Sequence, residues 1–200
     1  MSILLQSPPE DVVIAGVVVP INWDFRTSIK FDILMNGNKP LEEKCLEAIL
    51  LYYGQTNEEG EVILPVQVLE HLDEAYEKII WFYSGGRQET GKAAEKVKKG
   101  YYFDHDDTYI YAAFMDQYKV DLSKADSMHW WLFKAMFLSL KEDNEICQII
   151  KYRTVKITNK MPREKRDFLR RMREIYAPPA DMKDRKELNE IEEKLLNGTF

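Results

Sequence analysis

The chain has 200 residues, a formal net charge of −6, two cysteines and four tryptophans. That length gives one domain, or one domain with an appended piece. No run of about 18 apolar residues occurs, so no membrane-spanning helix is expected. Cys45 and Cys147 lie far apart in sequence, which argues for free thiols in a reducing compartment rather than a disulfide framework.

Met1 to Glu10 lacks a basic region, holds too short an apolar run for a secretory signal, and reads as a loose lead-in broken by Pro8-Pro9. Val12–Ile14 and Val17–Val19 then predict two short strands around a tight Ala15-Gly16 turn, closed by Pro20. An isolated hairpin is marginal in water, so this one is expected to lie on helices. Asn22 is placed to cap a helix over 23–35 with Phe25, Ile29 and Ile33 on one face. Asn36-Gly37 is expected to end it through a left-handed cap residue. A helix over 41–53 gathers Cys45, Leu46, Ile49 and Leu50 on one side. After a polar turn, 54–60, a longer helix over 65–83 carries the stripe Val68/Leu69, Leu72, Tyr76, Ile79/Ile80 and Tyr83.

Residues 84–100 hold four glycines and little apolar bulk, and predict a mobile linker. The aromatic stretch 101–140 follows. One helix over 106–118 repeats Ile110, Phe114 and Gln117/Tyr118; a second over 126–140 is apolar nearly all round, the pattern of a helix buried on several sides. Together they form the expected centre of the core. Further helices are expected over 142–152, with Ile146, Ile149 and Ile150 on one face, and over 162–176, opened by Pro162 as first helical residue. In the latter, Phe168, Met172 and Ile175 form the apolar face. After Pro178-Pro179, a charged helix over 182–196 has only the thin stripe Leu188, Ile191, Leu195. The fold expected is mainly α: a helical domain, 1–160, with a small N-terminal β-hairpin, and a helical C-terminal arm, 161–200.

Candidate chemistry is sparse. Gly86 to Lys92 has the spacing of a phosphate-binding loop, but Ala93 stands where magnesium needs a hydroxyl, and a helix, not a strand, precedes it. Nucleotide binding is therefore not expected. Asp104-His105-Asp106-Asp107 groups potential metal ligands, yet acids before a helix are explained more simply as caps that accept orphan N–H bonds. His129, opening the Trp130-Trp131 helix, reads as a hydrogen-bonded structural histidine, and His71 has no second histidine at ligand spacing. No catalytic residue, cofactor or metal is assigned, and no enzymatic activity is expected.

Charge is distributed unevenly. Lys151 to Arg173 contains ten Lys/Arg against two Asp/Glu, a local balance of +8 that leaves −14 on the rest of the chain. This segment is either a solvated face that complements the acidic body or a surface for phosphates or an acidic protein. No helix-turn-helix signature or aromatic platform accompanies it, so nucleic-acid binding through 151–173 stands as the alternative function rather than the leading one.

Three groups of residues occur together in a particular order. They are Pro20-Ile21-Asn22-Trp23-Asp24-Phe25-Arg26 after a hairpin, Phe103-Asp104-His105-Asp106 before Tyr109–Phe114, and His129-Trp130-Trp131 at a helix start. In this the chain resembles the bacteriophage "gene product fifteen" family of tailed phages and prophages of Gram-positive bacteria. The resemblance runs from Val12 to Arg153, with no motif matched beyond Lys160. It implies a gene among the tail genes, between the major tail protein and the tape-measure protein, and a tail assembly chaperone or scaffold in the host cytoplasm. The implied partners are the tape-measure protein, then the tail tube protein, with self-association a further expectation. The partner-binding residues expected are Arg163, Arg166, Phe168, Arg170, Met172 and Arg173 on one helix, and Leu188, Ile191 and Leu195 on the next.

Overall fold

A computed structural model describes residues 3–86 and 99–178. The elements are β1 (Asp11–Ile14), β2 (Val17–Pro20), α1 (Phe25–Met35), α2 (Leu41–Tyr53), β3 (Gln55–Thr56) and β4 (Val62–Ile63). Then follow α3 (Val66–Glu70), α4 (Leu72–Tyr83), α5 (Asp107–Tyr118), α6 (Trp130–Leu138), α7 (Glu145–Thr154) and α8 (Arg163–Ile175). The protein is mainly α, with a small N-terminal hairpin, as the sequence predicts. Among the described residues no helix is long and apolar enough to cross a membrane.

The chain forms two compact units, and neither is continuous. Of the described residues, the first takes 3–86 and Ser123–Ser139; the second takes 99–122 and 140–178. This division corrects the picture of one aromatic hairpin at the core, because α5 belongs to the second unit and α6 to the first. The partition also differs from a body over 1–160 with an arm over 161–200. Most of the expected linker 84–100 and the whole of 182–196 lie outside the described residues.

In the first unit, β1 and β2 pair antiparallel with Val12 opposite Val19 and Ile14 opposite Val17. Ala15 (φ 49°) and Gly16 (φ 80°) make the left-handed turn that suits a two-residue hairpin loop. Ile14 and Val19 point inward, and the Ala15 N–H donates to Glu74 of α4 at 2.9 Å. Asp24, not Asn22, caps α1: its carboxylate accepts the Arg26 N–H at 2.9 Å, while Asn22 donates to the Leu51 carbonyl at 2.8 Å. Asn36 ends the helix in a right-handed conformation (φ −83°) rather than a left-handed one, its side chain donating to the Asp32 carbonyl at 2.7 Å.

The buried faces of α1 and α2 are rotated from those expected. In α1 they are Phe25, Ser28, Phe31, Asp32 and Met35. In α2 they are Lys44, Ala48, Ile49, Tyr52 and Tyr53, with Leu46 and Leu50 in solvent. Polar residues are admitted because each finds a partner. Ser28 Oγ meets Tyr52 Oη at 2.8 Å, Tyr83 Oη donates to Asp32 at 2.5 Å, and Lys44 Nζ donates to the Met35 carbonyl at the C-terminus of α1 at 3.1 Å. Burial pushes the Tyr52 and Tyr53 phenols well above their ordinary range.

The helix expected over 65–83 is broken. His71 (φ −134°, ψ 55°) divides α3 from α4, and the break takes Leu69 and Leu72 out of the buried stripe. Residues 55–63, most of the expected polar turn among them, form the short β3–β4 hairpin, with Gln55 opposite Ile63 and Thr56 opposite Val62. The end of α4 is closed by α6. Trp131 Nε1 donates to the Phe82 carbonyl at 2.7 Å, and Trp130 Nε1 and Lys134 Nζ to the Tyr83 carbonyl at 2.8 and 2.9 Å. Three side chains thus satisfy carbonyls that a helix end leaves without internal partners.

His129 caps α6, which begins at Trp130 rather than near 126. Its Nδ1 accepts the Trp131 N–H at 3.0 Å, and its Nε2 lies 3.0 Å from the Pro9 carbonyl, so the neutral tautomer carrying its proton on Nε2 satisfies both. Burial lowers the pKa of this imidazole, against smaller opposing effects of the Pro9 hydrogen bond and the Glu10 charge. The unfolded chain therefore binds this proton first on acidification. The stability that neutral His129 contributes is fully present above about pH 6.5 and is lost as pH falls through the lower folded value. His129→Asn retains an N-cap acceptor without the titration. Urea unfolding at several pH values between about 7.5 and 5 should show a smaller loss of stability for the variant than for the wild type; parallel losses would contradict this role.

In the second unit, α5 buries Ile110, Ala113 and Phe114, and α7 buries Ile146, Ile149 and Arg153. Gly100 allows close approach: a Cβ there would stand 2.8 Å from Ile150 Cγ2 and Thr154 Cγ2 of α7. Asp106 is fully buried, and its carboxylate does not cap α5. It accepts the Tyr102 N–H at 2.8 Å and both terminal nitrogens of Arg153, at 2.6 and 2.9 Å. The capping role expected of this acidic run does not hold for Asp106, because a bidentate guanidinium claims its lone pairs.

Candidate partner-binding surface

Pro162 precedes α8 as its N-cap, one position earlier than expected. The apolar face is also displaced. Leu169 is the buried residue, Met172 is half-buried, and Phe168 and Ile175 stand 42% and 62% exposed. Phe168 keeps an edge contact with Tyr152 of α7, ring centroids 5.9 Å apart.

Two helices exchange arginines at their C-terminal ends. Arg173 of α8 donates to the Tyr152 carbonyl at 3.1 Å and the Val155 carbonyl at 2.5 Å, at the end of α7. Arg153 of α7 donates from Nε to the Tyr176 carbonyl at the end of α8 at 2.7 Å, besides holding Asp106. Cations at helix C-termini meet unpaired carbonyls and the negative end of the dipole. Arg153 and Arg173 are therefore spent within the unit, and the basic segment 151–173 presents less free charge than its composition suggests.

Of the residues expected to bind a partner, Arg163, Phe168 and Arg170 are exposed. Arg163 and Arg170 share Asp167, at 3.7 and 3.6 Å, in exposed pairs worth little to stability. Arg166 is half-buried and donates to Asn159 at 3.3 Å, Met172 is half-buried, and Arg173 is structural. Leu188, Ile191 and Leu195 lie outside the described residues. The surface that remains on α8 is two apolar side chains among charges of both signs.

The other candidates separate. Asp104, His105 and Asp107 are exposed while Asp106 is buried, and among the described residues no group of three His, Cys, Asp or Glu is placed to hold a metal. Gly86 packs under the Trp131 indole, and the remainder of the phosphate-loop spacing, 87–92, lies outside the described residues. Cys45 and Cys147 are free, half-buried thiols whose pKa values burial raises.

The fold defines a mainly helical protein of two units, each built from separate stretches of the chain. The chain belongs to the family described as Bacteriophage Gp15 protein, whose model matches residues 8–177. No curated protein and no solved structure matches it. The family match extends past Arg153, where the motif resemblance stops, and includes α8, which is thus part of the family's shared region.

Proposed function

We propose that this chain acts in phage tail morphogenesis as a non-enzymatic assembly chaperone or scaffold, engaging the tape-measure protein in the host cytoplasm before tail tube subunits enclose it. The family match across both units carries this reading. In support, the protein leaves large apolar side chains exposed on regular elements, Phe168 and Ile175 of α8 among them. Such side chains suit a role in covering the apolar stripes of a long helical partner.

Co-expression with the tape-measure protein encoded beside it, followed by size-exclusion chromatography, tests the reading. A soluble co-eluting complex is expected; an insoluble tape-measure protein with this chain eluting alone would refute it. Removing 161–200 is a poor probe of α8, because Leu169 and Arg173 bind α8 to α7. Ile175→Ser, at a position 62% exposed, leaves those contacts and the Phe168–Tyr152 contact in place, and is expected to weaken co-elution with little change in melting temperature.

A further inference from the structure

Among the described residues, seven large apolar side chains between residues 46 and 72 are exposed, all in the first unit. Leu46 and Leu50, four apart on α2, are 55% and 47% exposed. At the end of that helix Val62 of β4 lies close by: its Cγ1 is 3.0 Å from where a Cβ on Gly54 would stand. Val62 and Ile63 are exposed in turn, and three residues further on α3 begins with exposed Val66. Leu69 and Leu72 complete the run, lining a concave corner with His71, Asp73 and Glu74. The break at His71 is what keeps this last pair out of the core.

Charge along the same stretch is strongly acidic: Lys44 of α2, which is buried, and Lys78 of α4 bound it. Residues 45–77 contain eight Asp/Glu and no Lys or Arg. Glu58, Glu59, Glu61, Glu70 and Asp73 are exposed beside the apolar run. Among the described residues, Glu47 pairs with Lys39, and Glu74 lies 3.9 Å from Lys78. Exposed apolar residues accompanied mainly by carboxylates disfavour an acidic partner and attract a basic one.

We propose that the α2–β4–α3 face docks a basic amphipathic helix of a partner protein, its apolar stripe on the leucines and valines and its Lys/Arg flanks against the Glu rim. Assigning that helix to the tape-measure protein rests on the function proposed above; the surface and its chemistry do not.

The test uses the full-length chain and a labelled peptide of roughly 20 residues with leucines at helical i, i+3, i+4, i+7 spacing and lysines elsewhere. Controls are the same composition shuffled to abolish the stripe, and a version with Glu for Lys. Fluorescence anisotropy should give the striped basic peptide an affinity at least about tenfold above either control. Leu46→Ser/Leu50→Ser/Leu69→Ser, at exposed positions, should lower that affinity at least about tenfold with the melting temperature unchanged. Glu58→Lys/Glu59→Lys/Glu61→Lys should weaken binding and flatten its salt dependence. Equal binding of the shuffled peptide, or binding unaffected by the leucine substitutions, would overturn the proposal. So would self-association, seen by sedimentation without peptide and lost in the leucine variant, since the occupant would then be a second copy. If the striped peptide binds as expected while the tape-measure protein fails to co-elute, the surface stands and the partner assignment falls.

Discussion

Replacing Asp106 by alanine is expected to destabilise the second unit by about 3–5 kcal/mol, because the Arg153 guanidinium would be left buried without its counter-charge. The two side chains are 0% and 5% exposed, and Asp106 accepts both terminal guanidinium nitrogens as well as a backbone N–H from Tyr102. Arg153 also donates to the Gly100 and Tyr176 carbonyls, so its orientation ties the segment before α5 and the end of α8 to α7. Arg153→Met should be costly for the same reason, leaving a buried carboxylate. The double variant Asp106→Leu/Arg153→Met should lose less than the sum of the single losses, since a matched apolar pair removes both desolvation penalties. Urea unfolding followed by far-UV circular dichroism measures this at neutral pH. All four tryptophans lie in the first unit, so their fluorescence separately reports that unit. A loss below about 1 kcal/mol, the range of exposed ion pairs, would show that the pair is not isolated from water.

That pair was not legible in the sequence. Asp106 sits in a run of four polar residues, three of which are exposed, and nothing in their spacing distinguishes the one that is buried. A local charge count registers Arg153 and Arg173 as part of a basic segment but cannot see that both point to helix ends. The same blindness to direction explains α1 and α2. Hydrophobic spacing selected Ile29, Ile33, Leu46 and Leu50, whereas Ser28, Asp32 and Lys44 are the side chains turned inward, each with its hydrogen-bond partner. Periodicity succeeds where the buried face is purely apolar, as for Ile110 and Phe114 of α5; on α7 it finds Ile146 and Ile149 but misses the buried Arg153.

The hairpin was legible because β-branched runs around Ala15-Gly16 have few alternatives, and its need for helical support is met by α4. The division into units was not, because the chain passes from the first unit to the second between α4 and α5 and returns to the first at Ser123. Adjacent aromatic helices in sequence therefore went to different cores. Charge gives a partial account of the surface: the count shows an acidic chain, but its concentration on 45–77 gains meaning only where the leucines there are exposed.

Trp131→Ala should cost the first unit about 3–5 kcal/mol, the range for deleting a large buried aromatic. The indole is 5% exposed and packs edge-on to Trp81 at 5.5 Å and against Phe82 at 5.9 Å. Its Nε1–H holds the Phe82 carbonyl at the end of α4, so truncation removes both volume and a cap. Trp131→Phe keeps most of the volume and should recover all but the hydrogen bond, about 1 kcal/mol. Gly86 provides an independent check. At φ +71° it is in the left-handed region, and a Cβ there would stand 2.5 Å from Trp131 Cη2. Gly86→Ala therefore meets backbone strain and a clash in the wild type, but only the strain in the Trp131→Ala background. The two substitutions should be non-additive, with Gly86→Ala less costly when the indole is absent. Strict additivity would mean that Gly86 is constrained by its backbone angle alone, and that the indole does not determine the path of the chain where it leaves α4.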